Sequence, residues 1–237
     1  MEIPLKIWQT YETKILPPKM DECVNKLKTQ HPDFEHQLFD ATDRREFIQN
    51  NYPEEIVVAY DSLIPGAYKA DLWRLCVLYI HGGIYMDIKL QFQNDFTLHK
   101  FIDKEYFVRD GHKSIYNAFI VVQKRNPILF KSILKIIHNV ANKNLGENPW
   151  EPTGPKLIGS YYEWDTKLEL VHYGPVTNET VRNLEDIIVL NHYDGYRTEQ
   201  ELLNKKYYQN LWWEKNIYSD CFIDYDKAEQ NMIAMFS

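Results

Sequence analysis

The chain predicts an α/β sandwich. Three observations carry this. Apolar strand-like runs alternate with helix-like ones along its length. The run from Ala67 to Gln91, AYKADLWRLCVLYIHGGIYMDIKLQ, passes from an apolar helix through paired glycines straight into a strand. And 237 residues, 44% of them hydrophobic, suffice for one sizeable core. No internal repeat or low-complexity linker divides the sequence, so a single domain over residues 1–237 is expected.

Leu5 to Gln9 reads as the first buried strand, stopped by Pro17-Pro18. Lys19 to Thr29 reads as a helix with Met20, Cys23, Val24 and Leu27 on one stripe. Phe34 to Phe39 is a second strand. Thr42 is placed to cap a helix from Asp43 to about Asn50, with Arg45 or Glu46 near the box position. Tyr52-Pro53 breaks it, Glu54 to Tyr60 forms another short helix, and Pro65-Gly66 turns the chain into the central segment.

From Leu72 to Ile80 the only clearly polar group is Arg74, and a helix apolar nearly all round is a buried one. Asp71 and Arg74, three apart, share a face. They are a structural ion pair or, since a buried pair gains little over apolar residues of the same size, a ligand-binding pair. Gly82 and Gly83 end the helix. Ile84 to Leu90 is rich in strand formers and reads as a central strand. Ligands of open α/β sheets sit beyond the carboxyl ends of strands, where Asp87 and Lys89 would lie, two apart and on one side. Asp87 suits a divalent cation or sugar hydroxyls, and Lys89 suits a phosphate.

Further on, Glu105 to Arg109 and Tyr116 to Gln123 read as strands separated by the turn Asp110-Gly111-His112. Pro127 opens a helix to about Asn142. Asn144 to Thr153 is a loop, Gly154 to Tyr162 a short helix, and Leu168 to Tyr173 and Ile187 to Asn191 are late strands. Lys205 to Tyr218 is dense in aromatic residues.

A net charge of −7 argues against nucleic acid as a partner and requires any diphosphate site to be a local positive pocket. Cys23, Cys76 and Cys221 fit no zinc or redox spacing, and a reduced core cysteine at 76 suggests a reducing compartment. No apolar run approaches a membrane span and no signal peptide opens the chain, so the expectation is a soluble, cytoplasmic protein. No Ser-His-Asp set, P-loop or GxGxxG pattern competes for the assignment.

At the central segment the sequence resembles glycosyltransferase family 32, the Och1-like sugar transferases with a DXD sugar-binding region. The family pattern is roughly A-x-x-x-D-x-x-R-x-x-x-L-x-x-x-G-G-x-Y-x-D-x-D, and Ala67, Asp71, Arg74, Leu78, Gly82, Gly83, Tyr85 and Asp87 match it. The opening Ile3-Pro4-Leu5-Lys6-Ile7-Trp8-Gln9-Thr10 is similar to the family's I-P-K-x-I-H-Q-T. His31-Pro32-Asp33-Phe34-Glu35, Leu38-Phe39-Asp40, Tyr116-Asn117-Ala118-Phe119-Ile120 and Thr153-Gly154-Pro155 match further family segments, so the resemblance covers about residues 3–160. The second Asp of the DXD is replaced by Lys89.

The resemblance implies a GT-A fold, a Rossmann-like nucleotide half fused to an acceptor half. It implies a retaining transferase that moves a hexose from a UDP- or GDP-linked sugar to a hydroxyl of a glycan, polysaccharide or glycoprotein. The alternatives are a degenerate binding relative or a nucleotide-sugar hydrolase. Asp87, Lys89 and Arg74 would be catalytic. Trp8, Gln9, Asp71, Arg74, Tyr85, Asp87, Asn117 and Trp212 would bind the nucleotide sugar, Trp8 by stacking on the base or else as core. The implied cofactor is a divalent cation, Mn2+, on Asp87, with His172 or His192 as a late ligand. Lys89 would pair with the diphosphate, alongside the ion or in its place. Gly154 and Pro155 would shape an acceptor loop, and Tyr208, Trp212 and Trp213 would close as a lid or anchor the tail. Asp110 and His112 lie in a turn that could reach the site. Many relatives carry an N-terminal Golgi anchor, so a Golgi-lumenal location is implied if an anchor has been removed.

Overall fold

The computed structural model describes residues 2–111, 113–164, 168–174, 179–202 and 207–236. His112, and residues 205 and 206 of the aromatic-dense tail, lie outside the described residues. The chain runs β1 (Lys6–Thr10), α1 (Pro18–Gln30), β2 (Glu35–Phe39), α2 (Ala41–Asn51), α3 (Glu54–Ser62), α4 (Gly66–His81), β3 (Gly83–Met86), β4 (Leu90–Phe92), β5 (Tyr106–Asp110) and β6 (Ser114–Val122). It continues through α5 (Pro127–Ala141), α6 (Pro155–Gly159), β7 (Leu170–Tyr173), β8 (Thr180–Arg182), β9 (Ile188–His192), α7 (Tyr196–Leu202), α8 (Tyr208–Trp213) and α9 (Tyr225–Phe236).

Alternation along the strands sorts the core into two layers. Trp8, Tyr85, Ile120 and Val122 face one side and join Leu72, Trp73, Cys76 of α4 and Ile133, Ile137 of α5. Ile7, Ile84, Met86 and Val121 face the other, with Leu27, Phe34 and Phe101. This is the period of two that puts successive side chains on opposite faces of a sheet. Tyr85 is thereby turned towards α4, and Asn117 reaches the same side because β6 changes register against β5, so that Ile115 rather than Tyr116 or Ala118 joins the α4 layer. Among the described residues no helix is long and apolar enough to cross a membrane.

The sequence reading named no counterpart of β8, α7, α8 or α9, and three elements that it did name differ. Helix α2 starts at Ala41 and is capped by Asp40, not Thr42. The Asp40 carboxylate accepts from the amides of Thr42 and Asp43, while Asp43 reaches back to the Asp40 amide. A carboxylate at position N3, Asp43, closes the box as a glutamate would, in place of the Arg45 or Glu46 expected there. Helix α4 begins at Gly66 rather than after a Pro-Gly turn. The strand expected over Ile84 to Leu90 splits: β3 ends at Met86, Asp87 to Lys89 turn, and β4 starts at Leu90.

That split shapes the molecule. The sheet order is β2-β1-β3-β6-β5-β7-β8-β9-β4, with β4 six places from β3. In a flat sheet six spacings of ~4.8 Å would separate them by about 29 Å. The four residue-to-residue steps from Met86 to Leu90 reach at most about 14 Å. The sheet therefore curls until its far edge returns to the end of β3. Leu90 pairs with His192 and the Tyr193 amide donates to the Lys89 carbonyl at 2.9 Å.

The α4–β3 join depends on glycine. Gly83 has φ +97°, and a Cβ there would lie 2.7 Å from the Lys6 carbonyl oxygen. Gly83→Ala should lower stability by about 1–3 kcal/mol, seen as a lower urea midpoint at unchanged m-value. An unchanged midpoint would refute this.

Candidate active site

Arg74 sits mid-way along α4 and is 7% exposed. Its guanidinium pairs with Asp71 at 3.2 Å and Asp87 at 3.3 Å, donates to the Asn117 carbonyl at 2.7 Å, and lies 4.3 Å over the Tyr85 ring. Burial alone would lower its pKa, but Tyr85, Asp71 and Asp87 outweigh burial and hold the charge firmly in place. Asp87 follows β3 and keeps the facing of Tyr85, whose hydroxyl donates to its Oδ1 at 2.7 Å. Asp71 accepts from Asn117 Nδ2 at 2.8 Å and from the Thr153 hydroxyl at 2.7 Å. The α4 pair thus ties β3, β6 and the loop before α6 into one corner.

Lys89 lies in the turn after Asp87. Its ammonium is 3.4 Å from Asp87 Oδ2 and 3.7 Å from Glu179 Oε2. Asp87 and Lys89 meet although they share no strand, because the turn brings both side chains to one side. Glu179, just before β8, is held by Arg197 at 3.0 Å and by His192 Nε2 at 3.1 Å, with His172 Nε2 at 3.8 Å. The Tyr116 hydroxyl donates to it at 3.3 Å. Burial would raise the Glu179 carboxyl, but the two histidines and Lys89 hold it far below the usual range. For Lys89, burial acts downward and is outweighed by Tyr116, Asp87, Tyr196 and Glu179, so it stays well above its ordinary value.

Three cavities of about 320, 250 and 570 Å³ meet here, and Ala67 and Lys89 line all of them. The first is walled by Asp71, Arg74, Asp87, Asn117 and Glu179. The second opens at the ends of β1 and β3, beside Thr10, Glu12 and Tyr85. The third carries Trp150, Tyr196, Tyr207 and Tyr208. The expected positive pocket is instead an alternation: Arg74 and Lys89 each stand between carboxylates.

Of the residues singled out from the sequence, Asp71, Arg74, Tyr85, Asp87, Lys89 and Asn117 come together, and Gly154 and Pro155 border the first cavity. Trp8 does not join them. It is 2% exposed, its indole N–H donates to the Gly82 carbonyl at 2.8 Å, and it stacks on His81. Packed on both sides of the β1–α4 join, it is core rather than a platform for a base. Gln9 is also buried, spent on the Met86 carbonyl and His36. Trp212 donates to the Leu145 carbonyl at 2.7 Å and anchors the tail, and Trp213 is exposed. Only Tyr208 of the three lid candidates faces the cavities. His172 stacks on Tyr116 with ring centroids 4.0 Å apart and pairs with Asp110.

Sequence reasoning missed Glu179. Its one signal was indirect: both late histidines turn out to face it. It also passed over Thr153 as the partner of Asp71. A divalent cation does not fit the side chains as they stand. Asp87 Oδ1 is taken by Tyr85 and Arg74, and Oδ2 faces an ammonium that also lies against Glu179. Among the described residues no three His, Cys, Asp or Glu side chains are placed to hold a metal ion.

Residues 17–108 match the family described as "Glycosyltransferase sugar-binding region containing DXD motif". The match is to the region that carries Asp71, Arg74 and Asp87. It is 32% identical over 139 residues to inositol phosphoceramide mannosyltransferase 3 of Schizosaccharomyces pombe, which covers 58% of this chain and 37% of that protein. It is 30% identical over 128 residues to an uncharacterized glycosyltransferase of Acanthamoeba polyphaga mimivirus, covering 53% of this chain and 50% of the relative. The initiation-specific α-1,6-mannosyltransferase of S. pombe is 26% identical over 226 residues, covering 78% of this chain and 53% of its own. The chain thus spans between about a third and a half of these relatives. In structure it is similar to the PaToxG glycosyltransferase, with a TM-score of 0.53, 18% identity and 68% of each chain covered, which shows the mixed α/β, GT-A-like fold.

Burial raises the Asp71 carboxyl from 3.8 to about 6, against the pull of Arg74, Thr153 and Asn117. Between those values the folded chain keeps a proton that the unfolded chain has lost. The Asp71 contribution to stability therefore falls as pH rises from 3.8 towards 6 and is constant above. Asp71→Asn cannot titrate, so its stability relative to wild type should rise with pH through that window and then level. Urea titrations on both sides of the window test this, and parallel curves would contradict it.

Proposed function

We propose that this chain is a glycosyltransferase that moves a hexose from a nucleotide sugar to an acceptor hydroxyl. Retention at the anomeric carbon accompanies this reading through the family resemblance. The observation that carries it is the meeting of Asp71, Arg74, Asp87 and Asn117, from the sugar-binding region and the strand beside it, on one cavity wall. Asp87 is oriented by Tyr85 and Arg74 and is suited to accept hydrogen bonds from sugar or ribose hydroxyls. As the sugar–phosphate bond breaks, negative charge grows on the diphosphate, and fixed cations placed beforehand favour that step. Positioning of two bound substrates supplies much of the remainder. The aromatic wall of Trp150, Tyr196 and Tyr208 offers flat faces to an acceptor sugar. Mannose is the favoured sugar, since two of the relatives are named mannosyltransferases.

GDP-mannose, UDP-glucose, UDP-galactose and UDP-N-acetylglucosamine should be offered with glycan and lipid-linked acceptors, and both nucleotide release and sugar transfer followed. One donor should turn over, with transfer, and Asp87→Ala should lower turnover by about 100-fold or more. Release without transfer would replace this reading with a hydrolase. Binding without release under all acceptors would replace it with a sugar-nucleotide binding protein.

A further inference from the structure

We propose that the Lys89 ammonium is a tethered cation for the donor diphosphate, standing where a divalent ion would bridge the acidic residues of the site. This rests on the transferase reading above.

Among the described residues Lys89 is the one cation that lines all three cavities. Arg74 is already saturated by Asp71, Asp87 and the Asn117 carbonyl. Lys89 contacts Asp87 at 3.4 Å and Glu179 at 3.7 Å, both longer than charge-assisted hydrogen bonds, which run ~2.7–2.9 Å. Each carboxylate has a nearer partner. Asp87 holds the Tyr85 hydroxyl at 2.7 Å, and Glu179 holds Arg197 at 3.0 Å and accepts from the Tyr116 hydroxyl at 3.3 Å. The ammonium can turn to a diphosphate and leave neither carboxylate unpaired, so the exchange avoids the cost of stranding a buried charge.

The geometry also restricts where that ammonium can go. The Lys89 carbonyl is fixed by the Tyr193 amide, and the chain on either side is set by β3 and β4. The rings of Tyr116 and Tyr196 lie 5.8 and 5.9 Å from Nζ. They flank the ammonium and favour it electrostatically while offering no hydrogen-bond acceptor that a phosphate would have to displace. A second cation between Asp87 and Glu179 would sit against Lys89 at contact distance and be repelled by it.

The test is calorimetric binding of UDP and GDP to the full chain in EDTA and in Mn2+. Variants Lys89→Met, which keeps the stem, Lys89→Arg and Lys89→Asp are compared, and their thermal midpoints serve as folding controls. Wild type should bind one nucleotide with the same Kd in both buffers. Lys89→Met should bind it about tenfold or more weakly in both, with Lys89→Arg recovering most of the loss. Lys89→Asp should bind only with Mn2+ and should deplete the free Mn2+ resonance signal. Wild-type binding that needs Mn2+, or a Kd unmoved in a folded Lys89→Met, would overturn the inference and leave the transferase reading standing. Failure of wild type to bind either nucleotide in either buffer would remove both.

Discussion

Burying the guanidinium of Arg74 constrains the rest of the site. A charge removed from water must be matched by opposite charge and by hydrogen bonds, or the fold loses several kcal/mol. Arg74 meets that demand with groups from three different parts of the chain: Asp71 one turn back on α4, Asp87 after β3, and the Asn117 carbonyl on β6. Satisfying one side chain therefore fixes the helix against two strands. Asp71 passes the constraint on through Thr153 to the loop that carries Gly154 and Trp150. One wall of the cavity is thus a by-product of neutralising one buried charge. The apolar neighbours of Arg74 on α4 make the demand strict, because they offer it no polar group of their own.

The opposite wall comes from topology. The short turn from Asp87 to Lys89 cannot cross a flat sheet, so the sheet curls, and β8 and β9 arrive beside a residue distant from them in sequence. Glu179 and His192 owe their place near Lys89 to this closure. The two constraints meet at Asp87, held on one oxygen by the α4 side and facing Lys89 with the other.

The near wall was legible in the sequence and the far wall was not, for physical reasons. Arg74 and Asp71 stand out because a charge in an apolar helix is costly and needs an explanation, and the paired glycines announce the strand that delivers Asp87. Asn117 lies on a nine-residue strand, long and apolar enough to be read from the sequence. Strands β4 and β8 are three residues each, too short for any period to register, and they are the elements that carry the curl. Glu179 stands in a connecting segment with no pattern of its own. Trp8 and Gln9 are the reverse case. Their place at the end of the first strand suggested a base site, but alternation turns Trp8 into the α4 layer, where an indole is filled by packing. The capping of α2 by Asp40 was missed because a short carboxylate at N3 closed the box.

On the proposed reading a chain of net charge −7 must offer a diphosphate a local cation, and the site sets Arg74 and Lys89 among Asp71, Asp87 and Glu179 rather than forming a net positive pocket. Each cation at the junction is flanked by carboxylates, which keeps it ionised and placed but also competes with the ligand. For a divalent ion the competition is resolved by exchange: the ion arrives with the ligand, and site and solvent share it by mass action. A tethered ammonium removes the loading step, since its local concentration is fixed by the chain and its charge persists through the neutral range. The cost is charge: one unit replaces two, and an ammonium cannot hold several oxygens in fixed geometry as a metal does. That shortfall falls on the surrounding groups, so the long contacts of Lys89 and the short ones of Glu179 belong together. On the proposed reading Arg197 keeps Glu179 paired when Lys89 turns to the diphosphate, which frees the ammonium for the charge that transfer would develop.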